Sequence, residues 1–262
     1  LFVFNADRMA VMFVGAMCAV GTLNVNGYGF PALLAQIAVF FLAAVWLAIN
    51  GVDNRAPDYP LTRVKYGLLL ALAPVLAGSL ALQLQYFLHL NADVITSCCG
   101  SLFSQDAHGI SSDLAALPPK PAMVGFYAAV IAAVAAAGRY ALKRQGGYLV
   151  ALTSAVAFAA AIAGIISFLS LYVYEHPHHH CPFCLLKPEY GYQGYWLYLP
   201  LFAATAAGLS VGAVQPFRRI ESLKEVVPAV SVRLAAVAAV GFLLFAIAAG
   251  FMMLDSNLML IE

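Results

Sequence analysis

Cys181-Pro182-Phe183-Cys184 puts two cysteines at CxxC spacing. On one helical turn that spacing brings two sulfurs to one face, close enough for a disulfide or a single metal ion. Pro182 favours a helix start there, and a helix N-terminus lowers a thiol's pKa. Four imidazoles precede the pair: His176, His178, His179 and His180. Neutral imidazole and thiolate together suit zinc or copper, and thiolate-rich sites favour Cu(I). The motif lacks the following histidine of CxxCH, so covalent c-type haem attachment is not indicated. A second pair, Cys98 and Cys99, is adjacent in sequence. Neighbouring Cα atoms lie about 3.8 Å apart, below the usual disulfide window of about 4.4–6.8 Å. Three uses remain for it. Each cysteine pairs across to the other loop, or both exchange disulfides with Cys181 and Cys184, or all four ligate one metal. Every one of these requires residues 98–99 to approach 181–184. His89 and His108 are nearer the ends of helices or the surface and are weaker candidates.

These residues need elements to hold them, and the composition says which. Of 262 residues, 63% are hydrophobic and 10% are charged. A soluble domain carries about 25% charge, so the chain reads as an all-α, polytopic integral membrane helix bundle. Stretches free of Asp, Glu, Lys and Arg, each about 20 residues or longer, predict seven spans near 9–25, 30–50, 66–90, 121–142, 148–174, 195–215 and 232–254. They form a single transmembrane domain over 1–262. Seven spans put the termini on opposite sides, and the basic residues choose a cytoplasmic N-terminus and an outer C-terminus. Eleven basic residues then lie inside, with only Lys120 and Lys187 outside, as the positive-inside rule requires. The loops 91–120 and 175–194 share the outer face as a Cys/His-rich cap. That geometry predicts a multi-pass protein of the inner (cytoplasmic) membrane.

Cys18 falls mid-span in the first predicted helix and reads as a small apolar packer. Met9, Met12 and Met17 read as filler beside it. No charged residue lies in the middle of a span, unlike ion-coupled transporters and proton pumps. There is no nucleotide-binding motif and no basic run for nucleic acid. Tyr190, Tyr192, Tyr195, Trp196 and Tyr198 read as an interfacial belt. Phe217, Ile220, Leu223 and Val226 repeat at helical spacing and predict a short amphipathic helix lying on the inner interface, a surface on which a cytoplasmic partner can dock.

Cys181-Pro182-Phe183-Cys184 resembles the Cys-Pro-aromatic-Cys motif of glutaredoxin-type thiol chemistry. A loop cysteine pair followed by CxxC on one face is similar to the vitamin K epoxide reductase and bacterial disulfide-generating membrane oxidoreductases. That likeness implies electron transfer from the loop pair through Cys181 and Cys184 to a quinone. Those families have four or five spans, non-adjacent shuttle cysteines and no histidine run. Adjacent cysteines near an outer helix end are also similar to those of bacterial mercury-uptake membrane proteins.

Two functions from different classes follow. One is soft-metal binding, transfer or delivery, with copper or zinc held by Cys98, Cys99, Cys181, Cys184, His176, His178, His179 and His180. Its partner is an extracytoplasmic metal- or thiol-carrying protein. The other is a thiol–disulfide oxidoreductase with Cys181 and Cys184 catalytic. A membrane subunit with disulfide-stapled loops, assembled with other membrane subunits, is the third.

Overall fold

The computed structural model describes residues 2–91, 93–96 and 117–258. Among them the chain is helical, with no strand. Six helices are long and apolar enough to cross a bilayer. In chain order they are α3 (Gly29–Asp53), α4 (Thr62–Leu88), α5 (Pro119–Lys143), α6 with its continuation α7 (Gly147–Gly164, Ser170–Tyr174), α8 (Gln193–Val214) and α9 (Val226–Asp255). Two shorter helices, α1 (Phe2–Met9) and α2 (Ala19–Leu23), precede them.

The charge-free stretch 9–25 is therefore not a span. A 3₁₀ turn follows α1, the chain bends at Gly15 with φ +86°, and Cys18 is extended before α2 begins. A Cβ on Gly15 would sit 2.0 Å from the carbonyl oxygen of Thr96, so both the φ and the close approach need glycine. Val20 and Leu23 are fully buried, packed against protein rather than lipid. The charge-free pattern that marks a lipid-facing helix also marks a buried segment, which is how the two diverge here.

Helices α5, α6, α8 and α9 form a ring in which each packs on the next. The helices of this ring come together where small residues face each other, as membrane packing favours. A Cβ on Gly208 of α8 would lie 2.0 Å from Oγ of Ser154 on α6. The axis is filled by Phe126, Phe168, Phe242 and Phe245, all essentially inaccessible. Phe126 meets Phe168 edge-on at 5.4 Å between centroids. Helix α3 lies against α8, and α4 packs on α3. Phe41 of α3 stacks on Phe202 of α8 at 5.5 Å. Across the α3–α4 hairpin the Gln36 side-chain amide donates to Oε1 of Gln83 at 3.1 Å, which pairs one polar group of each within the apolar layer. Leu70, Leu76 and Leu80 of α4 face outward.

Residues 2–23 and 256–258 both meet the 175–192 loop, so both ends of the described chain lie at one end of the bundle. The opposite end carries Arg55, Arg63, Lys65, Arg139, Lys143, Arg144, Arg218, Arg219, Lys224 and Arg233, leaving Arg8, Lys120 and Lys187 at the first. Arg8, expected among the inner residues, moves to the cysteine end because the first span is absent. The expected amphipathic helix over 217–226 is broken as well. It forms two 3₁₀ turns, Gln215–Arg219 and Glu221–Leu223, separated by an extended Ile220. Leu223 points into a buried cluster with Val52, Leu61, Val214 and Val227 instead of lying on an interface.

That basic end is locked by a buried ion pair. Asp53, at the last position of α3, is fully buried, and its Oδ2 lies 2.7 Å from Nζ of Lys65. Its Oδ1 accepts the Leu61 amide at 2.6 Å, which closes the turn between α3 and α4. The Trp46 indole donates to the Lys65 carbonyl at 2.8 Å. Removing one partner of a buried pair strands the other, at a cost of about 3–5 kcal/mol. Asp53→Ala should therefore lower the thermal midpoint in detergent sharply. The double variant Asp53→Ala/Lys65→Met should recover a large part of that loss. Equal damage by the single and double variants would show that the pair is not what holds the turn.

Candidate functional site

Three sulfurs meet at the cysteine end. Cys18, Cys181 and Cys184 all have ligand atoms within 4.8 Å of one another. Cys18 Sγ and Cys181 Sγ are 3.6 Å apart. Cys18 and Cys181 are inaccessible, and Cys184 is buried. A disulfide needs about 2.05 Å, so no disulfide joins Cys18 to Cys181. Ile166, Val20, Phe30, Tyr174, Phe183 and Tyr190 pack around the sulfurs.

Each sulfur is positioned by local structure. Cys18 stands just before α2, whose first amide, Ala19 N–H, donates to Asp7 Oδ1 at 3.2 Å. Cys181 and Cys184 are brought together by a tight turn at 182–183 and the 3₁₀ turn Cys184–Leu186. The expected helix start at Pro182 is thus a turn, and a helix-terminus effect on these thiols has no helix to come from. The turn is pinned through its backbone. Tyr174 donates to the Cys181 carbonyl at 2.5 Å, and Tyr198 donates to the Pro182 carbonyl at 2.7 Å. Tyr198 and Tyr190, expected only as an interfacial belt, are working parts of this wall.

Lys187 ties the two chain segments together. Its Nζ donates to the Met17 carbonyl and lies 3.8 Å from Asp7 Oδ1. One side chain thereby holds the residue before Cys18 against the loop that carries Cys181 and Cys184. A third segment joins them. Thr96 is buried; its amide donates to the Val14 carbonyl at 3.0 Å and its hydroxyl to the Gly21 carbonyl at 2.8 Å.

The histidines divide. His180 is buried, and its Nδ1 lies 2.8 Å from the Ile166 carbonyl. A carbonyl can only accept, so Nδ1 carries the proton. That carbonyl belongs to the π turn Ile165–Leu169 between α6 and α7, and it also accepts from the Ser170 hydroxyl at 3.4 Å. Burial holds the His180 pKa below the ordinary histidine value. His179 stacks on Tyr174 at 4.1 Å between centroids. His176 and His178 are exposed, and His176 Nδ1 accepts the His178 amide at 3.3 Å. None of the four belongs to the three-sulfur group. Cys98, Cys99 and His108 lie outside the described residues. His89 caps the end of α4, with Nδ1 2.9 Å from the Gln85 carbonyl.

Of the predicted ligands, then, Cys181 and Cys184 come together, and Cys18 joins them unforeseen. The only trace of Cys18 in the sequence was its lying a few residues from Gly15 and Gly21, in a segment that the charge-free count read as continuous helix. No known protein family matches the chain, and neither does any characterised protein or solved structure.

The loop also holds the last described residues. Glu175, in a left-handed conformation after α7, accepts from the Asn257 amide at 2.8 Å and from its side chain at 2.9 Å through Oε1. These bonds favour the carboxylate and lower its pKa from the ordinary 4.5. A carboxyl depressed in the folded state contributes above its unfolded pKa and loses that contribution as pH falls through the folded value. Residues 256–258 should therefore stay docked at neutral pH and loosen as pH falls below 4.5 and through the depressed folded value. Glu175→Gln should weaken docking at neutral pH and remove its pH dependence. Limited proteolysis of the tail at pH 6 and pH 3 reads this out. Identical pH dependence in the variant would show that another group controls the tail.

Proposed function

We propose that the protein is a multi-pass membrane protein that holds a soft metal ion, Cu(I) or zinc, on the thiolates of Cys18, Cys181 and Cys184. The observation carrying this is the convergence of three buried sulfurs from two distant segments. Metal–thiolate bonds of about 2.3 Å in tetrahedral geometry separate sulfurs by about 3.8 Å. The 3.6 Å between Cys18 and Cys181 is close to that spacing. Thiolates in an apolar pocket also need a compensating charge, which a bound cation supplies.

Orientation follows from charge. Ten basic residues at the far end against three at the cysteine end support a cytoplasmic far end by the positive-inside rule. The site then faces outside, in an inner membrane. Cys98 or Cys99 is our proposed fourth ligand, since Thr96, two residues before Cys98, is hydrogen-bonded to the segment that bears Cys18. The exposed His176 and His178 are suited to capture an ion at the mouth of the site and pass it inward. The donor or acceptor would be an extracytoplasmic metal-carrying protein.

The 3.6 Å sulfur contact also favours a second reading, thiol–disulfide exchange. Closing Cys18–Cys181 to a disulfide releases two protons and two electrons, which a quinone would accept.

Metal analysis of the purified protein separates the two. We expect about one soft metal ion per chain, lost in Cys18→Ala and in Cys181→Ser. Cys18→Ala is the decisive variant, because a cysteine that only packs would tolerate it. Metal-free protein in which alkylation and mass spectrometry find Cys18 disulfide-bonded would overturn the metal reading. The exchange reading would then predict a trapped mixed disulfide in Cys184→Ser.

A further inference from the structure

A groove of about 250 Å³ lies at the basic end, opposite the cysteines. Arg55, just after α3, and Glu225 and Arg233, at the start of α9, line it. Val226, Ala229 and Val230 form its apolar floor. All three charged side chains are exposed. The ion pairs among the described residues are Lys65–Asp53, Lys187–Asp7 and Lys224–Glu221, so these three charges share a groove without pairing. Among the described residues the Arg55 guanidinium donates to the Gly51 carbonyl, 3.2 Å away in the preceding turn.

The depth of the groove suits lipid. Helix α9 has 30 residues and is thus about 45 Å long, against a hydrocarbon core of about 30 Å. Its first turns, including Val226, Ala229 and Val230, therefore stand at headgroup level. Arg233 follows Val230 by three residues, about one turn, and can extend its stem back to that level. The outward face beyond it is apolar, with Val237, Val240 and Leu244 exposed.

We propose that this groove binds the headgroup of a zwitterionic aminophospholipid. The phosphodiester lies between Arg55 and Arg233, whose guanidinium groups donate charge-assisted hydrogen bonds to it. The ammonium faces Glu225, and the acyl chains follow the apolar floor along α9. Both signs of charge in one groove select this headgroup. A glycerol headgroup offers nothing cationic to Glu225, and a choline headgroup has no N–H to donate.

The test uses the full chain in detergent, with native mass spectrometry and thermal melting. The probes are phosphatidylethanolamine, phosphatidylcholine, phosphatidylglycerol and inorganic phosphate. Phosphatidylethanolamine should bind most tightly and raise the Tm most, and inorganic phosphate should have no effect. Arg55→Gln/Arg233→Gln should weaken phosphatidylethanolamine binding about tenfold, as expected for losing charge-assisted contacts. Glu225→Gln keeps the arginines and should erase the preference for phosphatidylethanolamine over phosphatidylglycerol. Equal binding of the ethanolamine and choline lipids would overturn the proposal. So would a preference that survives Glu225→Gln, or an equal shift with inorganic phosphate.

Discussion

The sulfur site depends on one lysine reaching two places. Lys187 follows the CxxC turn by three residues, and its ammonium meets both Asp7 and the Met17 carbonyl. Asp7 in turn accepts from the first amide of α2. Together these contacts hold residues 2–23 against the loop that carries Cys181 and Cys184. With residues 2–23 held there, both ends of the described chain lie at the same end of the six spanning helices found among the described residues.

Around that link the site is built to exclude water and to resist movement. Tyr174 and Tyr198 each use a hydroxyl on a backbone carbonyl of the CxxC turn, so the loop is held from below by two helices. Tyr190 and Phe183 close the apolar side. His179 extends the wall by stacking on Tyr174. A pocket of this kind is unfavourable for three ionised thiols alone, because burial penalises each charge and the charges repel one another. A cation converts that penalty into attraction. The same enclosure keeps solvent and small thiols from the sulfurs, which suits retention more than rapid exchange.

Sequence reading located the parts governed by local pattern and missed those governed by folding back. Five internal spans and the sixth were legible because a bilayer demands about 20 apolar residues whatever the fold. The pairing of Cys181 with Cys184 was legible because it is local. Residues 9–25 misled because the absence of charge does not distinguish lipid from protein interior. Gly15, Gly21 and Asn24 were the available warnings: the helix has already ended at Met9, and the positive φ at Gly15 turns the chain so that it does not resume until α2. Cys18 was misread for the same reason: its role comes from a contact 163 positions away. The stretch 217–226 failed differently. Its helical spacing was real, but Pro216 sits in a 3₁₀ turn, Ile220 is extended, and Leu223 turns inward to the α3–α4 corner.

The packing of the bundle bears on what a bound ion would do next. Phe126, Phe242 and Phe245 fill the interior together with Phe168, a residue of the π turn whose Ile166 carbonyl meets His180. The spanning ring offers aromatic rings and close-set glycine and alanine contacts along its axis, and such an interior is a poor medium for a hydrated or partly ligated ion. The cysteines, by contrast, lie within one short loop of solvent-exposed His176 and His178. Under the proposed metal reading, an ion coming from that side would meet imidazole and then thiolate, an order of increasing softness. The helix bundle thus serves as the frame that keeps Cys18 beside Cys181 and Cys184, although the two segments lie 163 positions apart in sequence.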